Sequence, residues 1–225
     1  MEKVAEIANR TGVMVNMPNV LSMALGAGET SLIDLTAAYA SFVNGGKKVE
    51  PSLIDRIQDR RGKNIFLENF AACTNCDEPY IEENPMPKLV NSSESIFDEA
   101  KSYQMVSILK GAVDRGTGRK TKIDGIEIAG KTGTTNNNTD AWFIGFTSDL
   151  IIGVYAGFDR PKSLGKRETG SSVAVPIFRD FVKNYYQEKP ILPFTIPNGI
   201  ELIKINYDTG KIAGDFNSSE SVYEA

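Results

Sequence analysis

A chain of 225 residues, 41% hydrophobic and 24% charged, has the makeup of an ordinary globular protein and the length for one large domain or two small ones. Its net charge of −4 argues against a nucleic-acid partner, and its longest apolar run falls far short of the ~20 residues that span a bilayer. It contains no histidine, which excludes Ser-His-Asp and Cys-His arrangements and leaves acid–base work to Lys, Asp, Glu, Tyr or Thr.

The N-terminal stretch MEKVAEIANRTG lacks the continuous apolar core of a signal peptide. Its Val4, Ile7 and Ala8 fall at helical spacing, with Gly12 as the stop. Asn16 to Gly28 reads as a Met- and Gly-rich loop. Ser31-Leu32-Ile33-Asp34 has the pattern of a capping box, and Leu35, Ala38, Tyr39 and Phe42 then share one helical face up to Gly45-Gly46. Weak alternation between Val49 and Leu67 around Arg60-Arg61-Gly62 predicts a hairpin. Asn69 to Ser95, rich in Pro, Asn, Ser and acidic residues, reads as an irregular surface segment. A helix follows over Asp98 to Val113, broken by Asp114 to Arg119 (DRGTGR).

Ile126–Thr132, Ala141–Thr147 and Leu150–Phe158 read as three strands, the last two joined by the Ser148-Asp149 turn as an antiparallel hairpin. Val175, Phe178, Phe181, Val182 and Tyr185 then recur at helical spacing. These elements predict an α+β fold, a helix packed on a three-stranded antiparallel sheet. Pro190, Pro193 and Pro197 open a final extended tail, so the expected division is 1–189 and 190–225.

The two cysteines form Cys73-Thr74-Asn75-Cys76. Zinc needs two further ligands, and the chain has no other Cys and no His. A redox pair would open a helix after a strand, whereas Asp77-Glu78-Pro79 reads as loop, so a loop pair open to oxidation outside the cytoplasm is expected. No metal and no cofactor is expected.

Chemistry concentrates at Lys131-Thr132-Gly133-Thr134, at the end of an apolar strand. Gly133 lets a substrate backbone approach edge-on, the hydroxyls of Thr132 and Thr134 suit a carboxylate, and backbone N–H groups at a strand end suit an oxyanion. A partly desolvated Lys131 would stabilise an anionic substrate group. A polar turn before a strand would read the same way.

K-T-G is one of the boxes of penicillin-binding proteins and class A β-lactamases. Five longer stretches decide between them: LSMALGAGETSLIDLTAAYASFVNGGK, DRGTGRKT, IAGKTGTTNNNTDAWFIGF, VYAGFDRPKSLG and TGSSVAVPIFRDFV. In order and spacing, Met1 to Lys189 resembles the transpeptidase domain of class A penicillin-binding proteins, the bifunctional cell-wall synthases. The resemblance implies a β-lactamase/transpeptidase-like antiparallel sheet flanked by helices, incomplete at its N-terminus. It implies that Lys131 binds substrate electrostatically. It implies too that Thr132 and Thr134 hold the terminal carboxylate of a D-alanyl-D-alanine stem peptide or a β-lactam, and that the Thr134 N–H donates half of an oxyanion hole. It also implies acid–base work by lysine, and a parent on the periplasmic face of the bacterial inner membrane.

The family's serine nucleophile belongs to an S-x-x-K box upstream of an S-x-N box. This chain has no S-x-N triplet, and its two S-x-x-K strings fall in unsuitable places. Ser107 to Lys110 is mid-helix, and Ser163 to Lys166 lies in a Gly-rich loop after K-T-G. The nucleophile is therefore expected to lie outside this chain, in a missing N-terminal part of the domain that would be its partner. Two readings follow: part of a serine acyltransferase inactive alone, or a non-catalytic carboxylate-binding module. Apolar surface is expected to be bare over Leu21–Lys47 and on the sheet face opposite the Val175 helix.

Overall fold

The computed structural model describes residues 1–68, 71–74, 88–91, 93–213 and 221–225. Helix α1 (Glu2–Thr11) ends at Gly12, whose φ of 79° is left-handed and favours glycine. A short 3-10 turn, Leu21–Leu25, interrupts the expected loop. Helix α2 (Leu32–Val43) is capped as predicted, Ser31 Oγ accepting from the Asp34 N–H at 3.1 Å. The Ser31 hydroxyl in turn donates to the Asp34 carboxylate, so the box closes through side chains. Strands β1 (Arg56–Gln58) and β2 (Asn64–Leu67) form the predicted hairpin.

Within the segment expected to be irregular, β3 (Ala71–Thr74) pairs antiparallel with β4 (Lys88–Asn91). Cys73 is thus in a strand where a loop is expected, and Cys76 lies outside the described residues. Helix α3 (Glu99–Asp114) starts at Asp98, whose carboxylate accepts from the N–H groups of Ala100 and Lys101.

The sheet that organises the body is β5 (Ala129–Thr134), β6 (Asp140–Phe146) and β7 (Ile151–Gly157), antiparallel with β6 in the middle. Strand β6 is apolar on both sides because both are covered. Phe143 faces α4 (Val175–Tyr185), where Val175, Phe178 and Val182 meet it, Phe178 edge-on at 4.9 Å. Phe146 faces the other way, with Ala129, Val106 and Leu109. Each fully buried phenylalanine contributes roughly 2–3 kcal/mol.

Two expectations are corrected here. The sheet face opposite α4 is not bare: α2 and α3 cover it, Gly153 fitting closely under Leu32 and Thr36. Within Leu21–Lys47, by contrast, Leu21, Leu25 and Ile33 are exposed as expected. Phe181 shares the helical spacing of α4 yet points outward, 53% exposed and stacked on Tyr185. The extended segment after Lys189 is held to the body of the fold. Phe194 is buried against Phe146, its N–H donates to Glu127 Oε2 at 2.9 Å, and Ser148 Oγ donates to the Leu192 carbonyl. Further on, β8 (Ile203–Asn206) pairs with β9 (Ser221–Glu224).

Candidate active site

Strand β5 carries Lys131 to Thr134 and lies at the edge of the sheet; among the described residues no strand pairs with its outer side. Peptide groups alternate between the two edges of a strand. The Thr135 N–H donates to the Asp140 carbonyl across the hairpin, so the odd-numbered residues 131 and 133 bond to β6. The N–H and C=O groups of Thr132 and Thr134 therefore face the open edge. Lys131 Nζ reaches that edge too, donating to the Thr132 carbonyl at 2.9 Å. Lys131 is exposed, not partly desolvated as expected from its place at the end of an apolar strand.

Side chains follow the same alternation. Thr132 opposes Phe143, and Thr134 opposes Ala141, on the α4 face. Lys131 and Gly133 take the other face, beside Ile144 and Trp142. A Cβ on Gly133 would meet Trp142 Cβ at 3.1 Å, so the bare glycine also makes room for the indole. Trp142 in turn packs on Tyr155, ring centroids 4.7 Å apart.

The turn after the K-T-G-T run is held by polar contacts. Thr135 Oγ1 accepts from the Asp140 N–H at 2.9 Å and lies 2.7 Å from Thr139 Oγ1. Tyr155 donates to Asp140 Oδ1 at 2.8 Å, and this hydrogen bond above all holds the Asp140 carboxyl below the usual range. Asn138 ties the turn to the loop after β7, its side chain donating to the Gly165 carbonyl while its own carbonyl accepts from Leu164.

Sequence reading missed two contacts here. Thr117 Oγ1 lies 2.6 Å from Thr132 Oγ1, and the Gly170 N–H donates to Thr134 Oγ1 at 3.0 Å. Both residues sit in stretches that the family resemblance singles out, DRGTGRKT and TGSSVAVPIFRDFV, but nothing local in either ties it to β5.

The S-x-x-K strings are elsewhere. Ser107 is half-buried in the middle of α3, and Lys110 is turned to Glu127 (3.4 Å) and Asp114 (3.7 Å). Ser163 is exposed, its Oγ accepting from the Gly165 N–H. Among the described residues no cluster of acidic or cysteine side chains could hold a metal.

An edge strand bearing a lysine, two hydroxyls and two outward N–H groups suits an extended peptide ending in a carboxylate. Residues 9–183 match the penicillin-binding protein transpeptidase domain, and the chain belongs to that family. Penicillin-binding protein 1A of Rickettsia conorii is 45% identical over 218 residues, 94% of this chain and 27% of the relative. The corresponding protein of Neisseria gonorrhoeae is 37% identical over 185 residues, 82% of this chain and 21% of the relative. The solved structure of penicillin-binding protein 1A from Haemophilus influenzae superposes with a TM-score of 0.78 at 28% identity, covering 99% of this chain and 36% of that one. PonA1 of Mycobacterium tuberculosis, at 19% identity and a TM-score of 0.68, shares the fold. The α+β transpeptidase fold is thereby shown. The chain spans about a quarter of the length of the curated relatives it matches.

Proposed function

We propose that this chain supplies the K-T-G wall of a serine peptidoglycan D,D-transpeptidase, with the nucleophilic serine contributed from outside these 225 residues. We take residues 1–189 as the C-terminal part of the transpeptidase domain and 190–225 as its extension, working with a membrane-anchored parent at the periplasmic face. The observation that carries the reading is the open edge of β5, where the Thr132 and Thr134 peptide groups and Lys131 Nζ converge.

In this reading a D-alanyl-D-alanine terminus lies antiparallel along β5. Its carboxylate takes hydrogen bonds from Thr132 and Thr134 and the charge of Lys131. The serine oxygen adds to the penultimate carbonyl while its proton passes to a lysine. The tetrahedral oxyanion accepts from the Thr134 N–H, which points outward before any charge develops. The C–N bond then breaks, the terminal D-alanine leaves with the proton, and the acyl-enzyme passes its acyl group to an acceptor amine. A β-lactam follows the same path, but ring opening expels nothing, so its whole mass stays on the serine.

The test joins the chain to the segment that precedes the matched region in the Rickettsia conorii relative. Benzylpenicillin is expected to label one serine of that segment. Lys131→Ala is expected to slow labelling by about 10- to 100-fold, the range for losing one charge-assisted contact. A fused protein that stays unlabelled, or a Lys131→Ala variant that labels at the parental rate, overturns the reading.

A further inference from the structure

A threonine hydroxyl has one hydrogen to give and two lone pairs to offer. When a fixed neighbour donates into a lone pair, the hydrogen stays available for something else. Thr134 is in this state already: the Gly170 N–H donates to its Oγ1, and among the described residues its hydrogen has no acceptor. Thr132 shares its hydroxyl with Thr117 at 2.6 Å, and either hydroxyl of that pair is able to donate. A carboxylate that accepts from Thr132 settles the direction, because Thr117 must then donate to Thr132. Such a chain of hydrogen bonds strengthens its own members.

Both neighbours are held by backbone. The loop bearing Thr117 folds back on α3, the Gly118 N–H donating to the Ala112 carbonyl at 3.0 Å. The buried Thr121 hydroxyl donates to the Gly118 carbonyl at 2.6 Å. Gly170 sits flat on β5 and β6: a Cβ there would run into the Trp142 carbonyl oxygen and come within 2.6 Å of the Gly133 carbonyl oxygen. Only glycine lets its N–H come that close to Thr134.

We propose that Thr117 and Gly170 are positioning residues, which commit the hydroxyls of Thr132 and Thr134 to donate and so make the open edge of β5 selective for a carboxylate over a neutral, N–H-bearing terminus. The proposal rests on the carboxylate-binding reading above and extends it to two residues outside the K-T-G box.

The single tryptophan, Trp142, opposes Gly133 and reports on this edge. Its fluorescence is followed while the 225-residue chain is titrated with diacetyl-L-lysyl-D-alanyl-D-alanine and, separately, with the C-terminal amide of the same peptide. The parent chain is expected to bind the acid ~10-fold or more tighter than the amide, as the loss of a charge-assisted hydrogen bond implies. Thr117→Val is expected to bring the two affinities within ~3-fold, and Thr117→Ser to restore the parental ratio. Thr117 is exposed, so its valine variant keeps the fold; Gly170→Ala is expected to lower the ratio independently. A role confined to loop packing would shift both affinities together and leave their ratio alone. Thr117→Val with the parental ratio, or Thr117→Ser behaving like Thr117→Val, overturns the proposal. A parent chain that binds acid and amide alike overturns the carboxylate reading itself, and the proposal with it.

Discussion

Tyr186 shows how one side chain holds the far end of the sheet. It is buried at the end of α4, and its hydroxyl lies 2.6 Å from Thr147 Oγ1 and donates to the Asp149 carboxylate, pinning the β6–β7 turn. Burial, reinforced by the Asp149 hydrogen bond, pushes the Tyr186 hydroxyl from its ordinary 10.0 up to about 12. The folded chain thus keeps this proton after the unfolded chain has lost it. The stabilisation is fully present below pH 10 and declines as pH rises from there toward 12. Tyr186→Phe is expected to cost about 1 kcal/mol at neutral pH, since Asp149 keeps its contact with Thr147. The variant is also expected to flatten the alkaline decline. Chemical denaturation of both chains between pH 8 and pH 12 checks this, and parallel declines would contradict it.

At the scale of elements, what is written locally was legible. The starts of α2 and α3 follow from Ser31 and Asp98, residues whose side chains reach only two or three positions ahead. The three strands and α4 were legible because burial on fixed faces imposes a period. The C-terminal segment was not, because what places it is distant in sequence. Pro190, Pro193 and Pro197 announce extended chain, and extended chain is what forms there. Its burial depends on Phe146, Glu127 and Ser148, which no periodicity in the segment encodes. Phe181 is the converse case, apolar at the right spacing but turned outward beside Tyr185. Phe194→Ala is expected to destabilise the chain by about 3 kcal/mol, as emptying a core aromatic site does. A urea midpoint that does not move would mean that residues beyond 189 fold apart from the sheet.

At the scale of the whole molecule, the body is a three-layer sandwich, α2 and α3 on one face of the sheet and α4 on the other, with β5 left open at the edge. The candidate site was half legible. Lys131, Thr132, Gly133 and Thr134 are contiguous, and a strand places contiguous residues predictably. Thr117 and Gly170 reach the same strand from 15 and 36 residues away, and only the closed fold brings them there. The same fold keeps Ser107 within α3 and Ser163 in an exposed loop, and Lys110 answers to Asp114 and Glu127. The central claim, that this chain bears the carboxylate-binding wall and not the nucleophile, is met most directly by one measurement. It is an intact-mass spectrum of the 225-residue chain after incubation with excess benzylpenicillin. The account predicts an unmodified mass; an adduct of the antibiotic's full mass mapping to Ser107, Ser163 or any other serine would contradict it.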